Sequence, residues 1–386
     1  MTLAPEEVAR LAADHAWIEA CLAQRGFQVP PYPDLSAGGA PQGRAAARAY
    51  PIQGILKYHG LADWRLRTAY LPSISVNNDA AQTLTMVQFD PSLAADQVTI
   101  NRVPADTHAR ERVVQMLDAV RTTARITTRA RVDSRNFARA TRVGKGLGTS
   151  ASASAALALA ALSATLGPTL ATHERLLSCT ARLLAGSGCR SAVGGVSLWL
   201  SYPGISHADS YALRLDRRGE LTEMGLVTIP MDSRIGLVTE AAHREAPASP
   251  LFSPWCQSRA KEVVACVDAV LQGDWRTLAR WAELDSIRLH AVTMTASLEN
   301  KLFAWEPENI HLFRLCNELR ASGVPVYFST DTGPTMVLMA RRRDIQSVIS
   351  AVQSLHMGFE TIEGSVAGPA ETVPVDQAME ELEMTA

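Results

Sequence analysis

Residues 142–157, RVGKGLGTSASASAAL, have a composition suited to holding a phosphate group. Three glycines occupy alternate positions and three hydroxyl residues follow them, namely Gly144, Gly146 and Gly148, then Thr149, Ser150 and Ser152. Glycines allow backbone N–H groups to turn towards an anion, and the helix predicted to begin at the hydroxyls points its positive end at the same place. The spacing matches neither the Walker loop nor the dinucleotide fingerprint. The stretch predicts a phosphate cradle; the alternative is a glycine-rich turn that caps a buried helix.

Two further segments place cations beside glycine. Lys57 and Tyr58 precede Gly60, so a lysine and a tyrosine stand where a strand is predicted to end. They fit a phosphate-binding cleft, and equally an ordinary hairpin with an exposed lysine. Arg190 lies within 186–195, which holds four glycines. That density indicates backbone brought close to a ligand, with a guanidinium able to grip an anion in bidentate fashion.

Asp331 is the most informative carboxylate. It follows a short apolar run and precedes Gly333 and Pro334. An aspartate in such a turn is commonly a capping residue. The functional interpretation is a general base or a charge partner in a cleft.

The elements that would position these groups can be read from periodicity. Strands are predicted over 46–58, which delivers Lys57, over 130–140, which enters the glycine loop, and over 324–329, which delivers Asp331. A helix over 171–185 precedes Arg190. Residues 4–25 read as an amphipathic helix and 29–43 as a Pro- and Gly-rich linker, so we expect a packing or dimerisation helix without chemistry. The acidic segment from Gly364 onwards is expected to fray.

Composition narrows the class of protein. With 386 residues, 47% hydrophobic content and a net charge of -2, the chain can form two domains and shows no bias towards nucleic acid or membrane surfaces. Its six scattered cysteines and the acids near the N-terminus favour a reduced, cytoplasmic protein without a signal peptide. The apolar run 151–166 is short and interrupted by serines, so we do not expect a membrane span.

Taken together, these motifs resemble the GHMP kinase superfamily, and within it the mevalonate diphosphate decarboxylase branch. The resemblance covers about residues 49–355, and the order and spacing of the motifs agree. The matching blocks are 51–60 with 73–76, 146–156, 187–195 and 328–334. It implies an α+β, two-domain GHMP kinase fold with the active site in the interdomain cleft. The implied parts are an extension at 1–48, an ATP-binding domain at 49–228 and a C-terminal domain at 229–386.

The resemblance also implies roles for individual residues. Asp331, Lys57 and Arg190 match the catalytic aspartate, the catalytic lysine and the arginine that holds the substrate carboxylate. Tyr58, Ser187 and Ser191 are expected to bind the substrate. The ATP phosphates are expected at the six glycine and hydroxyl residues of the loop. The implied cofactors are ATP and Mg²⁺, no protein ligand to a metal is assigned, and a homodimer is usual for the family.

Departures from the family pattern bear on the substrate. The diphosphate-using enzymes read Lys-Tyr-Trp-Gly-Lys, whereas this chain has Leu61 in place of the second lysine, which contacts the substrate diphosphate. A second anion ligand of those enzymes, a serine, is replaced by Ala185. Each charge-assisted bond lost would weaken diphosphate binding by about 1.5–3 kcal/mol. The block around Lys57 resembles the phosphomevalonate decarboxylases of haloarchaea and some bacteria, which favours mevalonate 5-phosphate as substrate and isopentenyl phosphate as product. Arg142, where the family usually has proline, bears on the geometry of the ATP site.

Other activities stay open from the sequence alone. The ordinary diphosphomevalonate decarboxylase differs only in the number of substrate phosphates. A bisphosphomevalonate decarboxylase would use no ATP, and the glycine loop and hydroxyls argue against it. A mevalonate 3-kinase lacks the catalytic Lys, Asp and Arg that are present here. A non-catalytic sensor of phosphorylated ligands would not need them.

Overall fold

The computed structural model describes residues 3–36, 43–138, 148–234, 239–297 and 302–384. The α-helices within these ranges are α1 Pro5–Gln24, α2 Thr107–Ala124, α3 Thr149–Leu166, α4 Pro168–Ala171, α5 Glu174–Arg182, α6 Gly188–Val193, α7 Thr239–Glu245, α8 Phe252–Leu271, α9 Trp275–Ala296, α10 Pro307–Ala321, α11 Ile345–Gln353 and α12 Val375–Leu382. Short 3₁₀ helices lie at Ala246–Ala248 and Arg342–Asp344.

Within the same ranges, the strands form four sheets. They are β1 Arg44–Ala49, β2 Ile52–Leu56, β3 Leu61–Asp63, β4 Thr68–Ala69, β5 Ser73–Asn77, β6 Ala81–Phe89, β7 Gln97–Ile100, β8 Val103–Pro104, β9 Ala130–Ala138, β10 Val196–Trp199, β11 Ala212–Arg214, β12 Met224–Ile229, β13 Val326–Thr330, β14 Met336–Arg341, β15 Ile362–Ser365 and β16 Glu371–Val373. The orders are β16-β1-β6-β9-β7-β8, β11-β10-β5-β2, β13-β14-β12-β15 and β3-β4. The predicted α+β class is confirmed.

Helix α3 packs against the six-stranded sheet. Its Ala- and Ser-rich sequence leaves little side-chain bulk, so the helix contacts both β1 and β6 closely. By length and composition α3 would be able to cross a membrane, but most of it is buried inside the protein, as befits a core helix. Its burial places the N-terminus of α3, at Thr149, beside the start of β2.

The largest core cluster joins the remaining layers. It contains Ile55 of β2 and Val196 of β10, together with Val263 of α8 and Val337 of β14. Helix α9 packs on both β2 and β13, so the strands that end at Lys57 and Asp331 share one supporting helix. The two predicted domains, 49–228 and 229–386, therefore share one apolar core. Their exact boundaries stay a prediction.

Two predicted elements differ from the structure. The strand expected over 46–58 is two strands, because Pro51 has no N–H to donate and its carbonyl instead accepts from the Asn78 N–H at 2.9 Å. The helix expected over 171–185 is shorter, since α4 ends at Ala171 and α5 runs only from Glu174 to Arg182. Lys57 still follows directly on a strand, β2, whereas Arg190 lies within the separate helix α6.

The C-terminal segment is ordered, so the prediction that it frays from Gly364 was wrong for the residues up to 384. Strand β16 pairs antiparallel with β1. Helix α12 places Ala378 and Leu382 against Leu84 and Met86 of the same sheet. Although the segment is acidic, its apolar positions recur at helical spacing and find a sheet face to cover.

The N-terminal helix is part of the folded core, which fits the packing role predicted for it. Ile18 and Leu22 are buried in the largest cluster, and α1 contacts α8. The Arg25 guanidinium donates to both carboxylate oxygens of Asp268, at 2.6 and 2.9 Å. Part of the predicted linker, 37–42, lies outside the described residues.

Candidate active site

One pocket collects most of the predicted site residues. It opens where β2 and β13 end, beside the N-termini of α3 and α7 and one side of α6. The predicted site residues on its wall are Lys57, Tyr58, Gly148, Thr149, Ser150, Ser187, Arg190 and Asp331. Residues far apart in the chain thus converge on one cavity.

Lys57 is held by three acceptors at the centre of the pocket. Its Nζ donates to the Gly54 carbonyl at 2.7 Å, to Ser329 Oγ at 2.6 Å and to Asp331 Oδ1 at 2.7 Å. An ammonium group has three donors, so all are used. Burial lowers the pKa of Lys57, and the carboxylate of Asp331 opposes that shift. The exposed-lysine alternative is thereby excluded.

Gly54 is required for this arrangement. A Cβ atom at that position would lie 2.6 Å from Lys57 Cδ and 2.9 Å from Asp331 Oδ1. The glycine in the segment Gln53–Gly54–Ile55 therefore makes room for the lysine to fold back over its own strand.

The backbone of Lys57 is fixed from behind. Its N–H donates to Asp285 Oδ2 at 2.6 Å. Asp285 is fully buried on α9 and also accepts from Arg259 Nη2 at 2.9 Å and Trp255 Nε1 at 2.7 Å. This network holds the Lys57 backbone from outside the pocket lining, and no local sequence motif indicates it.

Asp331 faces Lys57 because of its register. Ser329 and Asp331 are two residues apart at the end of β13 and so share a face, while Thr330 points the other way and contacts His290 at 3.1 Å. The Asp331 side chain is 28% exposed and that of Lys57 only 2%, so the carboxylate is the part of the pair that a ligand can reach. This position favours the charged role over a turn cap.

Arg190 is almost fully buried on α6. Its Nη1 donates to Ser73 Oγ at 2.8 Å, and its guanidinium lies 5.4 Å from the ring centroid of Tyr58 and 5.9 Å from that of Trp199. Burial lowers its pKa. Its Nε finds no partner among the described residues. A buried cation with an unsatisfied donor at a pocket wall is suited to an anion.

Tyr58 and Ser187 form one side of the pocket. Both line it, and burial raises the pKa of Tyr58, a shift that the neighbouring Ser187 side chain opposes. The Tyr58 ring stacks on His243, with centroids 5.1 Å apart. His243 Nδ1 accepts the Gly60 N–H at 3.1 Å, and burial lowers the pKa of His243 to about 4. The tyrosine ring therefore lies against a neutral histidine and near the Arg190 guanidinium.

The nucleotide end is described from Gly148 onwards. Gly148 has φ +71°, and a Cβ there would lie 2.7 Å from the Ile52 carbonyl oxygen, so this glycine is needed where α3 begins beside β2. Thr149 and Ser150 follow it on the pocket wall. Gly144 and Gly146, and Arg142, lie outside the described residues.

Two predicted site residues do not line the pocket. Ser152 Oγ is buried, 2.7 Å from Thr83 Oγ1. Ser191 Oγ donates to the Tyr50 carbonyl at 2.6 Å. Their assignment to ligands stays a prediction that this geometry does not favour, since both hydroxyls already have partners within the protein.

Glycine is required at three positions around Arg190 for a different reason from the one expected. A Cβ at Gly188 would lie 2.4 Å from Ser154 Cβ, one at Gly194 would lie 2.2 Å from the Pro369 nitrogen, and one at Gly195 would lie 2.1 Å from Asp216 Oδ1. The close approach at these three positions is made by the protein's own chain. The idea that they mark backbone beside a ligand was wrong for them.

Sequence reasoning missed three charged residues on the pocket wall. Arg67, Arg112 and Glu240 line the same pocket as Leu61 and Ala185, and Arg112 Nη2 donates to the Leu184 carbonyl, next to Ala185. The Leu61 and Ala185 replacements suggested an end poor in cations, yet two guanidiniums stand there. No motif marks them, because each comes from a different element and only folding brings them together.

Fold and site together define the class of protein: the chain has the two-domain fold of the GHMP kinase superfamily. The mevalonate diphosphate decarboxylase structure from Enterococcus faecalis, described in terms of ATP binding mediated by mevalonate diphosphate, has a TM-score of 0.76 and 25% identity. The match covers 86% of this chain and 99% of that one.

Sequence comparisons narrow the class to one family. Residues 49–212 match the diphosphomevalonate decarboxylase-like N-terminal domain. The chain is 33% identical to phosphomevalonate decarboxylase of Haloferax volcanii over 87% of this chain and 99% of that one. It is 27% identical to mevalonate 3,5-bisphosphate decarboxylase of Thermoplasma volcanium over 77% and 76% of the two chains. The chain belongs to the diphosphomevalonate decarboxylase-like family, as its motifs predicted.

Proposed function

We propose that the protein catalyses the ATP-dependent decarboxylation of mevalonate 5-phosphate to isopentenyl phosphate, with release of carbon dioxide, ADP and phosphate. The observation that carries the chemistry is the meeting of Lys57, Asp331 and Arg190 in one pocket that the N-terminus of α3 also lines. The 33% identity to the Haloferax enzyme supports the choice of substrate. The reaction belongs to an alternative mevalonate pathway of isoprenoid biosynthesis.

Phosphoryl transfer is the first step. The 3-hydroxyl oxygen of the substrate bonds to the γ-phosphorus of ATP as the bond from that phosphorus to ADP breaks. Asp331 orients the hydroxyl and accepts its proton, since a tertiary alcohol is a poor nucleophile. Lys57, 2.7 Å from Asp331, keeps the carboxylate aimed and offsets negative charge in the transition state.

Fragmentation is the second step. The bond between C3 and the new phosphate oxygen breaks, and the phosphate leaves with that electron pair. The electron pair of the bond to the carboxylate carbon becomes the alkene, and carbon dioxide departs. Arg190 holds the carboxylate in line for this loss. Because Arg190 is buried against Ser73 and Tyr58, its guanidinium has little freedom to move away.

ATP and magnesium fit the residues at the other end. Gly148, Thr149 and Ser150 begin α3 without a side-chain cap, which suits phosphate oxygens. Magnesium, when bound, supplies positive charge at the transferring phosphates. Among the residues that the structure describes, no three or more His, Cys, Asp or Glu side chains are grouped to hold a metal, so phosphates would supply most of its ligands.

The setting of the enzyme is also proposed. We infer a cytoplasmic homodimer that binds neither nucleic acid nor membrane. All six cysteines are free and buried, which supports a reducing compartment. Sedimentation of the purified protein would test the dimer.

A second candidate is decarboxylation of mevalonate 3,5-bisphosphate without ATP. The 27% identity to the Thermoplasma volcanium enzyme favours it. The position of Thr149 and Ser150 on the pocket wall argues for the ATP-dependent reaction instead.

The test measures carbon dioxide and ADP from purified protein with ATP and magnesium, on mevalonate 5-phosphate beside mevalonate 5-diphosphate. Both products from the monophosphate and little from the diphosphate are expected. Preference for the diphosphate would make the chain a diphosphomevalonate decarboxylase. ADP without carbon dioxide would identify a kinase, and turnover of the 3,5-bisphosphate without ATP would establish the second candidate.

A further inference from the structure

Three charged side chains from separate elements meet beside the predicted substrate phosphate, and we call them the Arg67–Arg112–Glu240 cluster. Arg67 lies between β3 and β4, Arg112 on α2 and Glu240 on α7. Arg67 Nη1 donates to Glu240 Oε1 at 3.0 Å, and Arg112 Nη1 lies 3.6 Å from the same oxygen. All three side chains line the pocket.

The cluster carries an excess of one positive charge. One carboxylate serves two guanidiniums, whose side chains are only 11% and 25% exposed for Arg67 and Arg112. The Nε atoms of both arginines are buried and find no partner among the described residues. Burial and the nearby charge of Arg67 lower the pKa of Arg112. Two desolvated cations with one counter-ion favour a second anion beside them.

The position of the cluster identifies that anion. The Tyr58–Ser187 pair, expected to contact the substrate phosphate, lies on the same wall. Arg67 and Arg112 both act electrostatically on Tyr58. The carbonyl of Arg67 would lie 3.3 Å from a Cβ at Gly186, next to Ser187. A phosphate that contacts Tyr58 and Ser187 is therefore within the field of both guanidiniums.

Resting on the proposed function, we propose that Arg67 and Arg112 bind the 5-phosphate of the substrate and that Glu240 restricts the site to a single phosphate. Guanidinium groups match phosphate oxygens in bidentate geometry. Glu240 already neutralises one of the two cations, so the one positive charge that is left offsets part of the charge of one phosphate and leaves none for a second. A second phosphate would add negative charge beside a partly buried carboxylate, and Leu61 offers no cation there.

The arginines are tested by Arg67→Gln and Arg112→Gln. Matched controls are Arg65→Gln, exposed on the same hairpin, and Arg110→Gln, exposed on the same helix. Each pocket variant should lower kcat/KM for mevalonate 5-phosphate by roughly 10- to 100-fold, mainly through KM, because one charge-assisted contact is removed. Pocket variants that behave like their controls would overturn the assignment.

The carboxylate is tested by Glu240→Gln, with exposed Glu111→Gln as control. The ratio of kcat/KM for mevalonate 5-diphosphate to that for the 5-phosphate should rise about tenfold, as one like charge is removed. The control should leave the ratio unchanged. Loss of activity on both substrates in equal proportion would give Glu240 a structural role and overturn its part in selectivity.

A last pair of measurements separates this inference from the proposed function. If the wild-type protein turns over neither substrate, the proposed function fails, and calorimetry with inorganic phosphate and pyrophosphate still tests the cluster. Phosphate should bind wild type more tightly than Arg67→Gln, and Glu240→Gln should gain affinity for pyrophosphate. Equal binding by all variants would reject the cluster. If Arg67→Gln does not fold, Arg67→Lys should show a smaller rise in KM, and an unchanged KM would count against the proposal.

Discussion

The pocket has two charged regions that are built differently. At the reactive centre, Lys57 donates to three acceptors and is 2% exposed. In the Arg67–Arg112–Glu240 cluster, one carboxylate that is 29% exposed serves two guanidiniums. In the first region all three donors of the Lys57 ammonium group are hydrogen-bonded within the protein. In the second, the Nε donors of Arg67 and Arg112 have no partner among the described residues.

Under the proposed mechanism, this difference separates the residues of the chemical step from those that recognise the substrate. A saturated lysine cannot turn towards a ligand without breaking a bond, so it aims Asp331 and stays fixed. An arginine pair that shares one counter-ion gains a partner when an anion arrives. We therefore expect substitutions at the centre to act on kcat and substitutions in the cluster to act on KM and on the choice of substrate.

The largest effect is expected from Asp331→Asn. The amide keeps the shape but cannot accept the hydroxyl proton, so kcat should fall on the order of 10²–10⁴-fold. ATP binding, measured by equilibrium dialysis, should be largely unchanged, and exposed Asp376→Asn is the control. Turnover retained in Asp331→Asn would remove this carboxylate from the mechanism.

Buried neutral histidines lie beside both regions, so we expect the free energy of unfolding to fall at acidic pH. Burial lowers the pKa of His243 to about 4, that of His290 to about 3 and that of His59 well below its usual value. As pH falls below about 6.5, these histidines become protonated in the unfolded chain but stay neutral in the native state, so the free energy of unfolding decreases. From pH 7.5 to 5.5 each histidine removes roughly 1.4 kcal/mol of unfolding free energy.

Urea unfolding at the two pH values measures this loss. His290→Gln should reduce the pH dependence by the contribution of one histidine, whereas exposed His311→Gln should not. Identical pH dependence in wild type and His290→Gln would show that His290 titrates normally in the folded protein.

Arg190 lines the same pocket as both regions. The variant Arg190→Gln tests whether it holds the substrate carboxylate or recognises the phosphate. If it holds the carboxylate, kcat/KM should fall about 10²-fold, the loss expected for one strong charged contact at a reacting group. Carbon dioxide should also fall relative to ADP, measured in the same reaction. Exposed Arg217→Gln is the control. A pure rise in KM with coupled products would assign Arg190 to phosphate recognition.

The smallest effect is expected from Leu61→Lys. Leu61 lines the same pocket as the cluster and lies on the same hairpin as Arg67, so a lysine there would add a cation near the proposed phosphate site. The ratio of kcat/KM for the diphosphate to that for the monophosphate should rise about tenfold. Leu66→Lys, on the same hairpin, serves as control. An unchanged ratio would mean that Leu61 does not select between the substrates.

Much of the fold and of the reactive centre could be predicted, because local patterns report on local structure. Glycine and hydroxyl spacing indicated the start of α3, and the apolar run before Asp331 indicated β13. The break at Pro51 follows from its missing N–H and could have been read from the sequence. The ordered C-terminus could not, since α12 packs against Leu84 and Met86 of β6, which lie more than 280 residues earlier in the chain.

By itself, the sequence determined the residue types of the proposed site, namely Lys57, Arg190 and Asp331, and indicated the strands that precede Lys57 and Asp331. Only the tertiary structure decided that Ser329 and Gly54 share Lys57 with Asp331, and that Ser152 and Ser191 face away from the pocket. It also decided that Arg67, Arg112 and Glu240 meet. A motif records contacts between neighbours in the chain, whereas a charge cluster drawn from a hairpin and two helices depends on how those elements pack.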